Sequence, residues 1–239
     1  MPEPAGNSGW STPRSWSLFG EYSPNSSHII LGLSDQRMFF SLGGGYNLRL
    51  AAHSGWQLFY APEVRPVMLE SDPVATGFQY NVCAPTVGGQ PCTPLSGSYR
   101  YPEKVPVMNT NVGSTNYSAT ILGQTYYQMY SYAYGRRWTY VGALSPLAFR
   151  ASFLPRSRLQ PIVGANAGIA VSSRDLPMFD TSAFNFTFGV GAGFQLWRSP
   201  GRASLIEYRF QHFSNADIGY NDPGIDSQMI HVSYLWGRR

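Results

Sequence analysis

The chain has 239 residues, of which only 13% are charged and 15% aromatic, with 25 Gly and 18 Pro. A soluble globular chain carries about a quarter charged residues, so an ordinary solvated surface is excluded, and the apolar content excludes intrinsic disorder. The net charge of +4 comes from scattered basic residues and short pairs such as Arg136-Arg137 and Arg238-Arg239, with no Lys/Arg stripe interleaved with aromatics, which excludes nucleic acid as the partner.

The opening Met1-Pro2-Glu3-Pro4 is polar and has no signal-peptide pattern. For an envelope protein this start implies a leader already removed, and residues 1–15 are expected to form an N-terminal periplasmic segment. The first strand is expected at 16–23, followed by a long loop at 24–36. From Arg37 to Ala52 the residues alternate strictly. Met38, Phe40, Leu42, Tyr46, Leu48 and Leu50 point one way, with Ser41, Gly43, Gly45, Asn47 and Arg49 pointing the other. After a short turn at Ala52–Gly55, a strand at 56–68 repeats the pattern, with Trp56, Leu58, Tyr60 and Val64 against Gln57, Glu63 and Arg65.

The stretch 69–137 is expected as a long outer-side loop insertion. It carries Cys83 and Cys92 in NVCAPTVGGQPC, whose spacing suits a local disulfide, with free thiols as the alternative. It lacks the second ligand pair that a zinc site requires. The run TYYQMYSYAYGRRWTY at 125–140 reads as an aromatic girdle at a membrane interface, or alternatively as a carbohydrate-stacking surface.

Strands then follow at 138–153, 158–172, 183–197, 203–215 and 225–236, with short turns at Leu154–Arg158 and Ser199–Arg202 and long loops at 173–182 and 216–224. The segment Ala183–Trp197 is the clearest, with Phe184, Phe186, Phe188, Val190, Ala192, Phe194 and Leu196 on one face. No run of about 20 apolar residues suits a membrane helix, whereas strands of roughly 9–11 residues suit a membrane barrel. An even strand count with turns short on one side and long on the other predicts an all-β fold. The expected architecture is one eight-stranded antiparallel transmembrane β-barrel domain with short periplasmic turns and long outer loops. Both termini fall on the short-turn side. The faces opposite the apolar stripes carry Glu21, Arg49, Glu63, Arg65, Glu207 and Arg209, which can neutralise one another inside a small filled barrel. The alternative is a soluble β-sandwich, whose outer face would be charged.

Phase also singles out a constellation. In the strand at 203–215, Ile206, Tyr208, Phe210, His212 and Ser214 share the apolar face, opposite Glu207, Arg209 and Gln211. In the last strand Ile230, Val232, Tyr234 and Trp236 mark that face, and Asp226 is in phase with them. A His, a Ser and an Asp are therefore expected on the outside of the barrel near the outer membrane surface. Ionisable groups facing lipid are costly and point to function. An imidazole two residues from a serine on one strand face can accept its proton, and a carboxylate on the next strand can hold the other ring nitrogen. Asn215, or backbone amides after Ser214, could supply an oxyanion hole. The bland reading is a polar cluster in the headgroup zone.

These residues also resemble a known family. HFSNA at 212–216, NDPGIDS at 221–227 and the terminal aromatic strand resemble the lipid A 3-O-deacylases, PagL-like outer-membrane acyl hydrolases. Weaker similarity runs through APEVRP at 61–66, LSPLAFR at 144–150 and FNFTFGVGAGFQL at 184–196, and extends to a broader acyloxyacyl hydrolase branch. The resemblance implies a bacterial outer-membrane enzyme that removes the ester-linked 3-position acyl chain of lipid A in the outer leaflet, without metal or organic cofactor. It implies His212 as base, Ser214 as nucleophile, Asn215 as an oxyanion or positioning residue, and Asp226 as the acid. The family has Glu at that place. A carboxylate one methylene shorter is expected to fall short of the imidazole unless the 216–224 loop moves. On the family geometry, Asp226→Glu preserves or raises activity. A non-catalytic barrel docking a protein partner through 69–137 is the second expectation.

Overall fold

The computed structural model describes residues 10–26, 30–84, 93–108, 115–121, 124–178, 180–218 and 221–237. Among them are eleven strands and no α-helix. They are β1 (Arg14–Ser26), β2 (Arg37–Ala52), β3 (Trp56–Tyr60), β4 (Glu63–Ala84), β5 (Thr93–Pro106), β6 (Thr115–Ile121), β7 (Gln124–Phe153), β8 (Leu159–Leu176), β9 (Ser182–Ser199), β10 (Arg202–Ser214) and β11 (Ile225–Trp236). Cys92 lies outside the described residues, and with it the expected Cys83–Cys92 disulfide.

The chain divides into two compact units: Met1–Ser71 with Trp138–Arg239, and Asp72–Arg137. In the first, β1 pairs with β2 on one side and β11 on the other. The circuit continues through β10, β9, β8 and β7, and β7 pairs with β3, which pairs with β2. The expected strand at 56–68 is split. Pro62 has no N–H to give a ladder, so β3 ends at Tyr60 and β4 resumes at Glu63, both beside β2. Counting β3 and the start of β4 as one stave, eight antiparallel staves close into a ring.

Every expected apolar stripe lies outside this ring. Leu18, Val190, Ile206, Val232 and Phe194 are each more than half exposed. The interior is filled. Two apolar layers, one containing Phe39, Met68, Phe213, Ile225 and Met229 and the other Ile162, Trp197, Leu205 and Leu235, hold side chains at most 4% exposed. A further set of buried side chains is ionic. Arg209 reaches Glu21 at 2.9 Å, Glu63 at 2.7 Å and Glu207 at 3.2 Å, while Arg65 reaches Glu21 at 2.7 Å and Glu63 at 2.8 Å. His231 Nδ1 lies 3.0 Å from Glu21. Arg49, expected in this cluster, sits instead at the irregular end of β2 and donates to Ser11 Oγ at 3.4 Å. Arg150 of β7 takes the third cationic place, 3.8 Å from Glu63. This inside-out distribution of charge is not that of the sandwich alternative, whose charges would lie outside. Because these acids are enclosed, removing a partner leaves a buried charge uncompensated, at about 3–5 kcal/mol. Arg209→Met is accordingly expected to lower unfolding free energy by about that much, measured by urea titration of circular dichroism in detergent.

Trp10 and Gly237, the first and last described residues, share one end of the ring with the tight turns. Gly201 N donates to Trp10 O at 2.9 Å, Gly237 N to Gly201 O at 2.8 Å, and Trp10 Nε1 to Arg156 O at 3.0 Å. The connections that follow β1, β8 and β10 leave from the other end.

Asp72–Arg137 is described by itself. Here β4 pairs with β5 from Val74↔Pro106 to Ala84↔Thr93, and β6 pairs with β7 from Thr115↔Tyr130 to Ile121↔Gln124. The stretch expected as a loop at 69–137 is thus largely strand. In β7 the run Tyr130-Ser131-Tyr132-Ala133-Tyr134 alternates as a strand does, but with aromatics that read as an interface girdle rather than as a ladder.

Candidate functional site

The site lies in the ring unit, at the end opposite Trp10 and Gly237, on β10 and β11. Inside the ring, Phe213 stacks on Phe39 with centroids 5.1 Å apart and planes 2° from parallel. This packing fixes the rotation of β10. Successive strand residues alternate sides, so a buried Phe213 obliges its neighbours His212 and Ser214 to point outward, in line with exposed Ile206 and Tyr208.

Register then brings the acid to the base. His212 is the direct cross-strand partner of Asp226, and opposed residues on neighbouring strands present their side chains to the same face. His212 Nδ1 lies 2.7 Å from Asp226 Oδ1. The expectation that the shorter carboxylate falls short of the imidazole is therefore corrected. Direct opposition brings the two side chains within hydrogen-bond distance without help from the 216–224 loop. The second carboxylate oxygen is also occupied, with the amides of Ile30 and Leu31 donating to Asp226 Oδ2 at 2.7 and 2.9 Å. Asp226 is completely buried, and His212 nearly so, with its ring against Phe188 at 5.1 Å between centroids. Gly224 completes the enclosure. Its φ of +56° suits glycine, and a Cβ there would stand 3.0 Å from His212 Cε1.

Ser214 is half-buried at the strand's end, and its hydroxyl is engaged elsewhere. Oγ donates to Asp222 Oδ2 at 2.5 Å and accepts from Ala216 N at 3.0 Å, with no hydrogen bond to His212 among the described residues. Asn215 is buried within the turn. Its Nδ2 donates to Asn221 O at 2.9 Å, and its Oδ1 accepts from Asp217 N at 3.0 Å. The structure thus joins His212 to Asp226, places Ser214 two residues away on the same face, and uses Asn215 to brace the loop. Sequence reasoning missed Asp222 and the Ile30 and Leu31 amides. Asp222 carried a signal in the turn-forming NDPG, but backbone donors carry none.

With Nδ1 held by a carboxylate, His212 is oriented to use Nε2 as an acceptor. Ser214 lies two residues along the same strand face.

A family model described as "Lipid A 3-O-deacylase (PagL)" matches residues 96–235, a span that contains His212, Ser214, Asn215 and Asp226. Among solved structures, the chain is similar to "Crystal structure of the outer membrane enzyme PagL", at 12% identity and a TM-score of 0.53, covering 91% of this chain and 97% of that one. It is also similar to "Crystal structure of Neisserial surface protein A (NspA)", at 10% identity and a TM-score of 0.42, covering 94% and 97%. No curated protein matches the chain.

Proposed function

Because the chain belongs to the lipid A 3-O-deacylase (PagL) family, we propose that it is an outer-membrane hydrolase that removes the 3-position ester-linked acyl chain from lipid A. The ring is read as an eight-stranded transmembrane barrel in the bacterial outer membrane, with the termini and short turns in the periplasm. The site end then faces the outer leaflet, where lipid A carries its acyl esters. The observation that carries this reading is the buried His212–Asp226 pair, 2.7 Å apart and facing outward in phase with the apolar wall. Such a pair has no packing value that an aliphatic side chain would not exceed.

In the proposed reaction Ser214 leaves Asp222 by rotation about its side chain and donates its proton to His212 Nε2. Oγ attacks the ester carbonyl carbon, while Asp226 holds the imidazolium that forms. The tetrahedral oxyanion is met by a backbone amide of the turn. Ala216 N–H, which stands 3.0 Å from Oγ, is assigned that role, with Asn215 positioning that turn. Collapse breaks the acyl C–O bond, and His212 returns its proton to the departing sugar oxygen. Water, deprotonated by His212, then attacks the acyl carbonyl on Ser214, and as that C–O bond breaks His212 returns the proton to Ser214 Oγ and the fatty acid leaves.

The test compares lipid A mass spectra of cells with and without the protein. The expected result is a species lighter by one hydroxyacyl chain in the expressing cells. Unchanged lipid A at confirmed outer-membrane expression would favour the second reading, a non-catalytic barrel that docks a protein through 69–137. What favours that reading is an aromatic face in Asp72–Arg137, where Phe78 lies within 6.4 Å of Tyr80, Tyr99, Tyr101 and Tyr132.

A further inference from the structure

The amides that fix Asp226 come from a short segment with an unusual surface. The β1–β11 pairing ends at Tyr22↔Ile230. Farther along β11 and its entry, the neighbour is no longer β1 but residues 30–34, returning toward β2. Leu33 N donates to Pro223 O at 2.5 Å, and Ser34 N to Gly224 O at 3.3 Å. Gly32 permits the approach. A Cβ there would stand 2.4 Å from Asp226 N and 2.7 Å from Ile225 C, both backbone atoms that cannot yield. The backbone of this segment faces the acid, yet its side chains face away from the protein. Ile30 is 63% exposed, Leu31 55% and Leu33 50%, and Ile218 of the facing loop is 62% exposed. Water is a poor neighbour for three aliphatic side chains exposed together in one short segment. The outer wall beside the site continues the same chemistry through exposed Phe186, Phe188 and Ile230.

We infer that residues 30–33 form an interfacial latch. Their side chains enter the lipid hydrocarbon at the outer edge of the apolar wall, and this anchorage holds the Ile30 and Leu31 amides on Asp226. The occupant is lipid acyl chain, because the segment is continuous with an apolar exterior and carries no charge between Ile30 and Ser34. The inference rests on the membrane-hydrolase reading above, and it adds that lipid contact sets the position of the acid. Ile30, Leu31 and Gly32 are thus positioning residues. They act on the imidazole through Asp226 and need not touch the ester.

The first arm of the test reads lipid contact without catalysis. Leu31→Trp is placed in the full chain with Ser214→Ala and reconstituted in phosphatidylcholine vesicles brominated near the top of the acyl chains. After subtraction of the parent emission, the added fluorescence is expected to be blue-shifted and quenched at least twofold. Emission at the wavelength of water-exposed tryptophan, without quenching, overturns the latch. The parent supplies the control: outward Trp16 and Trp236 must themselves be quenched, and if they are not, it is the membrane reading that fails. The second arm reads position. Ile30→Asn with Leu31→Asn keeps both amides, and on lipid A in vesicles it is expected to lower kcat about tenfold with KM changed less than about twofold. The conservative pair Ile30→Leu with Leu31→Met is expected to restore kcat. Gly32→Ala, which forces the segment off β11, is expected to lower kcat at least as far. Equal kcat in the asparagine variant and the parent overturns the coupling. If the parent itself shows no activity, the hydrolase reading and the coupling to it fall together, while quenching still decides the lipid contact.

Discussion

Replacing Ser214 with alanine is expected to lower acyl release from lipid A by about four orders of magnitude or more, with the ring intact. The side chain is half-buried at a strand end, and among the described residues its bonds are to Asp222 and the Ala216 amide. Little stability therefore depends on it. His212→Ala is expected to cost nearly as much, and the double variant no more than either single one, because a base without its nucleophile does nothing further. Release of hydroxy fatty acid, measured against time with protein whose circular dichroism matches the parent, checks all three. Additive losses would mean that the two residues do not act as one unit.

Changes at Asp226 are expected to have the next largest effect, and their order separates charge from shape. Asp226→Asn should lower kcat by about 10³–10⁴-fold. An amide there can present a hydrogen to Nδ1, and so favour the tautomer in which Nε2 cannot accept the serine proton. Asp226→Glu is expected to lower activity about tenfold, the reverse of what the family's glutamate suggests. Asp226 is fully buried, with one oxygen on His212 and the other on two backbone amides. An added methylene must displace either the imidazole or the 30–34 segment. A glutamate variant as active as the parent would show that the segment gives way readily.

Much of this arrangement was legible in the sequence, because its causes are periodic. Strict alternation between Arg37 and Ala52 and between Ala183 and Trp197 located β2 and β9 within two residues of their ends. The same phase put His212 and Asp226 on the outer face. What escaped had causes that periodicity does not carry. The exchange of Arg49 for Arg150 in the ionic layer follows from an irregularity at the end of β2. The strands of 72–137 carry tyrosine, serine and glutamine with few leucines or isoleucines, and so mimic a loop. At the site, strand opposition settled the reach of Asp226, and a remote loop supplied the donors to its second oxygen. Neither cross-strand register nor backbone amides are written in any single segment of a chain.

The central claim, an outward-facing serine esterase acting on lipid A, is tested most directly by incubating purified protein with lipid A in water enriched in ¹⁸O, with the parent and Ser214→Ala side by side. The account predicts that the parent yields free hydroxy fatty acid carrying ¹⁸O in its carboxylate, together with lipid A lighter by that one acyl chain and unlabelled at the freed hydroxyl. It predicts neither product from Ser214→Ala. Intact lipid A with folded parent protein, or labelled fatty acid released equally by Ser214→Ala, would contradict it.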